Sequence, residues 1–219
     1  MADYVFGYGS LLERASRTRT NPDAIGAWPA RVTGYHRGWF HQFADSAGSS
    51  CTYLGAEKIK GQTINGVVYR VADIDATKRR ETGYTADELA ADDIEMLDGG
   101  VPLKIGSDLK VYIFVSNPES ISKTKEPTPK FPIVQSYVDI CINGCLELES
   151  LYRRVTDTFT EEFIRTTSGW NANWVNDRIY PRRPFIYAPN ASAIDKALNA
   201  GHVLKYVQLH DLGLAMPLS

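Results

Sequence analysis

The sequence predicts an α+β fold: a small mixed or antiparallel β-barrel followed by a mainly helical C-terminal extension. Three observations predict it. Up to about Ser116 the chain reads as short strands broken by glycine turns, with few helical stretches between them. The segment Lys123–Pro132 then carries three prolines and several charges, the composition of a linker or extended arm. Beyond it, apolar residues recur at helical spacing. The division implied is residues 1–122 as the barrel and residues 123–219 as a linker and helical extension packed on it.

The elements follow in order. Tyr4, Val5 and Phe6 favour a pleated, buried strand. Gly7 and Gly9 then open the backbone and leave room for a ligand to approach it closely. Glu13-Arg14-Ala15 can open a helical turn. A strand, a glycine loop and a helix start together would aim several backbone N–H groups at one point, a site suited to a carboxylate or an oxyanion. Two other readings of the loop fail on spacing. A dinucleotide fingerprint needs a third glycine where Leu12 stands, and a phosphate-binding P-loop needs a Gly-Lys-Ser/Thr ending. Ser10 is not in a nucleophile elbow either, because Gly9 precedes it directly and Leu12 takes the place of the second glycine. From the glycines alone, a tight strand-to-loop turn with no ligand is the plainer reading.

Arg31–Phe43 is rich in aromatic residues and reads as extended, and Cys51–Glu57 as a second strand. Lys58–Gln62 is expected to turn the chain into Ile64–Val71, giving a hairpin. Asp73-Ile74-Asp75 caps a short helix running to Thr82, with Gly83 as its stop. Leu109–Val115 is a strand. In the C-terminal part, Val134, Val138, Cys141, Cys145 and Leu148 mark one face of an amphipathic helix. Thr160–Thr167 and Ala193–Ala200 read as two more helices. Between them lies Trp170–Pro189, which holds Trp170, Trp174 and the string Tyr180-Pro181-Arg182-Arg183-Pro184.

Composition narrows the function classes. Of 219 residues, 43% are hydrophobic and 23% charged, the balance of an ordinary globular protein with a substantial core. Lys and Arg total 24 against 26 Asp and Glu, a net charge of −2, which gives no reason to expect nucleic acid or an anionic membrane as partner. The first residues lack a basic segment followed by an apolar core, and no apolar run approaches the roughly 18 residues of a membrane span. Three scattered cysteines, Cys51, Cys141 and Cys145, argue against a disulfide framework and for a reducing cytoplasm. Oligomeric state leaves no signal in the sequence.

Several side chains could carry chemistry. Cys141 and Cys145 have a metal-clamping spacing, but a structural zinc site wants four ligands, and the histidines His36, His41, His202 and His210 show no matching pattern. Small residues on a buried helix face are the better account, and no metal is expected. Cys51 with His36 or His41 could form a thiol nucleophile, although a lone strand cysteine is usually core. Arg182 and Arg183 could grip a substrate carboxylate or could equally sit on the surface. Glu81 is the sharper case. It sits near the C-terminal end of the expected helix, where the helix dipole disfavours an ionised carboxylate, and partial burial would act in the same direction, which suits a general base. Arg79 and Arg80 would oppose this only if they pointed the same way, and adjacent helical residues do not face each other.

Taken together, Tyr8-Gly9-Ser10-Leu11 after the first strand, and Arg80, Glu81 and Tyr84 after a run of strands, resemble the γ-glutamylcyclotransferase family. Gly55-Ala56-Glu57 and Asn65-Gly66-Val67-Val68-Tyr69 are similar to that family's central strands, so the resemblance covers roughly residues 4–116. It implies a small β-barrel flanked by helices. It also implies an intramolecular aminolysis, in which the α-amine of a γ-glutamyl compound attacks its own γ-carbonyl. The products would be 5-oxoproline and an amino acid, dipeptide or amine. By the same resemblance Glu81 is the catalytic base, and Tyr8, Gly9, Ser10, Leu11 and Tyr84 bind the small-molecule γ-glutamyl substrate, with no cofactor. Two alternatives stay open: a non-catalytic binding or scaffold module that keeps the pocket, and an amidase-like relative acting on another acyl group. The extension, including Trp170, Trp174, Arg182 and Arg183, is a candidate cover for the leaving-group side.

Overall fold

The structure is a computed structural model that describes residues 2–44, 50–97, 109–152, 158–178 and 190–211. In chain order the strands are β1 (Ala2–Gly7), β2 (Ile25–Ala44), β3 (Ser50–Val71), β4 (Tyr84–Glu88), β5 (Ile94–Met96), β6 (Leu109–Ser116), β7 (Ile133–Val134), β8 (Thr167–Ser168) and β9 (Trp174–Val175). The α-helices are α1 (Arg14–Thr20), α2 (Ile74–Arg80), α3 (Gln135–Leu151), α4 (Phe159–Arg165), α5 (Ala191–Ala200) and α6 (Leu204–Asp211). The class is mixed α+β, with the described strands in one large mixed sheet of main order β4-β6-β1-β3-β2-β5.

β1 lies in the middle of this sheet, parallel to β6 and antiparallel to β3. Val5 and Phe6 are buried, as a short apolar run between two partners should be. Its position sends the residues after Gly7 out at the end of the sheet, into the loop singled out above.

The expected hairpin at Lys58–Gln62 is not a reversal. β3 runs through this stretch without turning back, and both of its halves pair antiparallel with β2. The turn chemistry is absorbed by a bulge instead: Thr33 faces Thr63 and Tyr35 faces Lys58, so Ile59–Gln62 lie opposite Gly34 alone. Bulges increase strand twist and bend, and the sheet curls. Beyond β6 the chain reaches the distal half of β2, where Ile121 bridges His41 and the Ser122 N–H donates to the Phe40 carbonyl at 2.8 Å.

Lys123–Pro132 is strapped along β3 rather than hanging as an arm. The Thr52 N–H donates to the Pro132 carbonyl at 2.8 Å and the Thr52 hydroxyl to Phe131 at 2.6 Å. The following α3 buries Val138, Cys141, Cys145 and Leu148, the predicted face, but also Tyr137, Ile140 and Ile142. It is enclosed on more than one side because the turn after β1, α4 and α5 all pack on it. The later strands join the same sheet, β7 on β3, β8 on β2 and β9 on β7. Trp174 is buried and stacks on Trp170 at 5.3 Å, and Trp170 meets Trp39 edge-on at 5.0 Å. Trp174 is thus interior packing, and the half-buried Trp170 packs between it and Trp39. Cys51, Cys141 and Cys145 are buried and in no disulfide. No helix among the described residues is long and apolar enough to cross a membrane.

Candidate functional site

Two separate stretches of chain meet at one pocket. The first is the exit from β1. Tyr8 turns inward and its hydroxyl donates to the Phe114 carbonyl of β6 at 2.6 Å. Ser10–Leu12 then form a single 3₁₀ turn, closed by Leu12 N–H to Gly9 O at 3.0 Å and Glu13 N–H to Ser10 O at 3.2 Å. The Arg17 guanidinium, one helical turn on, donates to the carbonyls of Leu11 at 2.9 Å and Leu12 at 2.8 Å, pinning the far end of the loop.

The second stretch is the end of α2. The Asp73 side chain caps that helix by accepting from the N–H groups of Asp75 and Ala76, at 2.9 and 3.0 Å. The helix ends two residues earlier than expected, at Arg80, and Glu81 occupies its C-cap position. Gly83 takes φ +86°, a left-handed turn that costs a glycine little, and the chain enters β4 at Tyr84. The Tyr84 N–H donates back to the Glu81 carbonyl at 3.2 Å, so Glu81 and Tyr84 are held by one tight turn.

The pocket between these stretches is lined by Phe6, Gly7, Tyr8, Gly9, Ser10, Leu11, Leu54, Glu81, Tyr84, Phe114 and Tyr137, and encloses about 350 Å³ of empty space including its open mouth. The part that a water-sized centre can reach is about 40 Å³, well below the roughly 300–1,000 Å³ of a typical ligand site. Its wall is mostly aromatic and aliphatic, and Glu81 is the one formally charged side chain among the described lining residues.

Burial pushes the Tyr8 phenol well above its ordinary range, with the Glu81 charge adding to the effect. Tyr84 is raised by burial first and then by Tyr8, Tyr137, Glu81 and Tyr53, and Tyr69 by burial and then Glu81. These phenols are therefore protonated near neutral pH. Tyr8 and Tyr84 give their hydrogens to the backbone, Tyr84 to Leu54 O at 3.0 Å. What they offer a ligand is ring surface, since the Tyr8 oxygen also accepts from the Ala56 N–H. Tyr137 comes from α3, and its hydroxyl would lie 3.0 Å from a Cβ placed on Gly9.

The sequence-predicted residues Glu81, Tyr8, Gly9, Ser10, Leu11 and Tyr84 thus all line this pocket. Sequence reasoning missed Phe6, Leu54, Phe114 and Tyr137 as wall residues. Tyr137 carried a usable signal: it stands three residues after Val134 and four before Cys141, on the same apolar stripe. Other candidates go elsewhere. His36 pairs with Glu57 at 3.3 Å and His41 with the Ser116 hydroxyl at 3.0 Å, whereas Cys51 pairs across the sheet with Phe43. Arg79 forms an exposed ion pair with Asp73. Arg182 and Arg183 lie outside the described residues, as does the side chain of Arg80. Among the described residues, no group of three or more His, Cys, Asp or Glu could hold a metal ion.

No protein-family profile and no curated protein sequence matches the chain. Among solved structures it is similar to a γ-glutamyl cyclotransferase at 14% identity, covering 71% of this chain and 86% of that one, with a TM-score of 0.48. It is similar to a yeast γ-glutamyl cyclotransferase specific to glutathione at 15% identity, over 71% and 90% of the two chains, with a TM-score of 0.41. An uncharacterised human protein matches at 16% identity over 70% and 88%, with a TM-score of 0.46.

Proposed function

We propose that this chain is a cytoplasmic, cofactor-free γ-glutamylcyclotransferase acting on a small γ-glutamyl amide. One observation carries the reading: Glu81 and the Tyr8–Leu11 loop, far apart in sequence, line one small pocket. The family resemblance of those same residues supplies the substrate class.

In this reading the substrate's γ-carbonyl faces the loop, where backbone N–H groups and the Ser10 hydroxyl are the donors for a developing oxyanion. Its α-amine lies at Glu81. The carboxylate takes a proton from the amine, and the nitrogen lone pair attacks the γ-carbon to form the five-membered lactam. The C–N bond to the leaving group then breaks. Glu81 returns its proton to the departing nitrogen, so the carboxylate ends as it began and the products are 5-oxoproline and a free amine. The ring faces of Tyr8, Tyr84 and Tyr137 hold the chain of the substrate between them.

The magnitudes suit so spare a site. Nucleophile and electrophile are tethered already, and holding them in near-attack geometry can supply about 7–11 kcal/mol. A positioned base adds about 10²–10⁴-fold, and a single well-aimed oxyanion donor about 3–4 kcal/mol.

The test is mass spectrometry of products after incubation with γ-glutamyl amino acids, glutathione and γ-glutamyl amines. The expected result is 5-oxoproline plus the matching amine from at least one of them. Thermal stabilisation by these compounds with no 5-oxoproline would make the chain a binding module. Release of another acid from a different acyl amide would make it an amidase-like relative.

A further inference from the structure

Arg37 is a charged group that the proposed chemistry does not use. It sits on β2 with 0% of its surface exposed. A guanidinium has five N–H donors, and here all of them are spent on neutral oxygens. Nε donates to the Thr167 hydroxyl at 2.8 Å, Nη1 to the carbonyls of Asn65 at 2.7 Å and Tyr8 at 3.4 Å, and Nη2 to Asn65 Oδ1, Phe163 O and the Thr166 hydroxyl at 3.1, 2.9 and 2.8 Å. The Phe163 ring covers it at 3.9 Å.

A buried cation ordinarily comes with a carboxylate. The ionisable groups around Arg37 are Cys141 and Cys145 of α3, Glu162 of α4, and Tyr8. Glu162 has both carboxylate oxygens on Arg31, at 2.7 and 2.8 Å. Burial draws the Arg37 guanidinium down to about 10, still charged at neutral pH. Among the described residues its hydrogen-bond partners are thus neutral oxygens, with Glu162 acting on it only from its pair with Arg31. Its hydrogen bonds join the first residue of the pocket loop to the end of α4 and the start of β8.

We propose that Arg37 is a positioning residue for the pocket, fastening the Tyr8–Leu11 loop to the C-terminal part of the chain and placing a positive charge behind it. The kinetic part of the claim rests on the cyclotransferase reading; the geometric part does not.

The experiment compares wild type, Arg37→Gln, Arg37→Lys and Thr166→Val as folded, purified proteins. Arg37→Gln should lose about 10-fold or more in kcat while KM stays within about threefold, because a shifted loop and a lost charge act on the transition state rather than on binding. Arg37→Lys, which keeps the charge without the fork, should recover part of that loss. Thr166→Val removes one acceptor and should show a smaller fall in kcat; it decides the matter if Arg37→Gln does not fold. Independently of activity, the Gly9 and Ser10 amide signals in a ¹⁵N–¹H NMR spectrum should move in Arg37→Gln or, failing that, in Thr166→Val. Lower thermal stability with kcat and both amide signals at their wild-type values would make Arg37 a structural staple and overturn the proposal. Were wild type itself to release no 5-oxoproline, the functional reading would fall, and the amide signals alone would decide the role of Arg37.

Discussion

His41 of β2 and Tyr84 of β4 stack with ring centroids 3.9 Å apart and planes within 4° of parallel. The imidazole Nδ1 lies 3.0 Å from the Ser116 hydroxyl, and a Cβ on Gly83 would come within 3.1 Å of the ring. The turn that presents Glu81 therefore rests on a buried, neutral histidine, and its placement depends on the far end of β2.

That contact has a pH signature. Burial draws His41 down to about 4, whereas a histidine in an unfolded chain titrates near 6.5. Above about pH 6.5 neither state is protonated and the residue contributes nothing to the pH dependence. As pH falls from about 6.5 to about 4, the unfolded state takes up the proton and the folded state does not, so stability falls across this window and the effect levels off below it. The loss is at most about 3 kcal/mol. His41→Gln, which does not titrate, should flatten that part of the curve. Urea midpoints across the window for both proteins check it, and parallel slopes would remove His41 as the source.

Glu81→Gln keeps size and polarity but removes the basic oxygen. The variant should fold as wild type and lose at least about 10²-fold in 5-oxoproline release, the contribution of a general base. Near wild-type turnover by the purified variant would take Glu81 out of the mechanism.

Much of this site was legible because its signals are local. Asp73 as a cap, Gly83 as a stop and the glycine loop after Phe6 are each written within a few residues, and the structure uses them so. The segment Ile59–Gln62 is a bulge and not the expected hairpin turn; Gly61 between Lys60 and Gln62 serves either purpose locally. Only the pairing of both halves of β3 with β2 distinguishes the two. The buried Arg37 was invisible for the same reason: its acceptors come from residues 8, 65, 163, 166 and 167. A sequence displays an arginine; it does not display the neutral oxygens that will surround it.

The approach of α3 to the loop can be tested at Gly9. A Cβ there would lie 3.0 Å from the Tyr137 hydroxyl, close enough that the phenol must give way by a few tenths of an ångström. Gly9→Ala should lower kcat/KM by about 10-fold, since small misplacements of reacting groups are costly. Adding Tyr137→Phe removes the clashing oxygen and should restore part of the activity, a coupling that two independent sites would not show. Additive losses in the double variant would mean that the two residues do not share the pocket.

Gly144 makes a tighter contact of a different kind. A Cβ on this residue of α3 would collide with the Glu13 nitrogen and the Leu12 carbonyl carbon, both backbone atoms that no rotamer change can move. The helix lies against the end of the loop because this position has no side chain. Gly144→Ala gains helix propensity of up to about 1 kcal/mol, but overpacking costs about 1–3 kcal/mol, and backbone on both sides puts this site at the upper end. The net effect should be a loss of about 1–2 kcal/mol in chemical denaturation. Activity should fall as well, because relief of the contact pushes Leu12 and with it the loop. A Gly144→Ala protein as stable and as active as wild type would mean that α3 does not press on the loop as the structure has it.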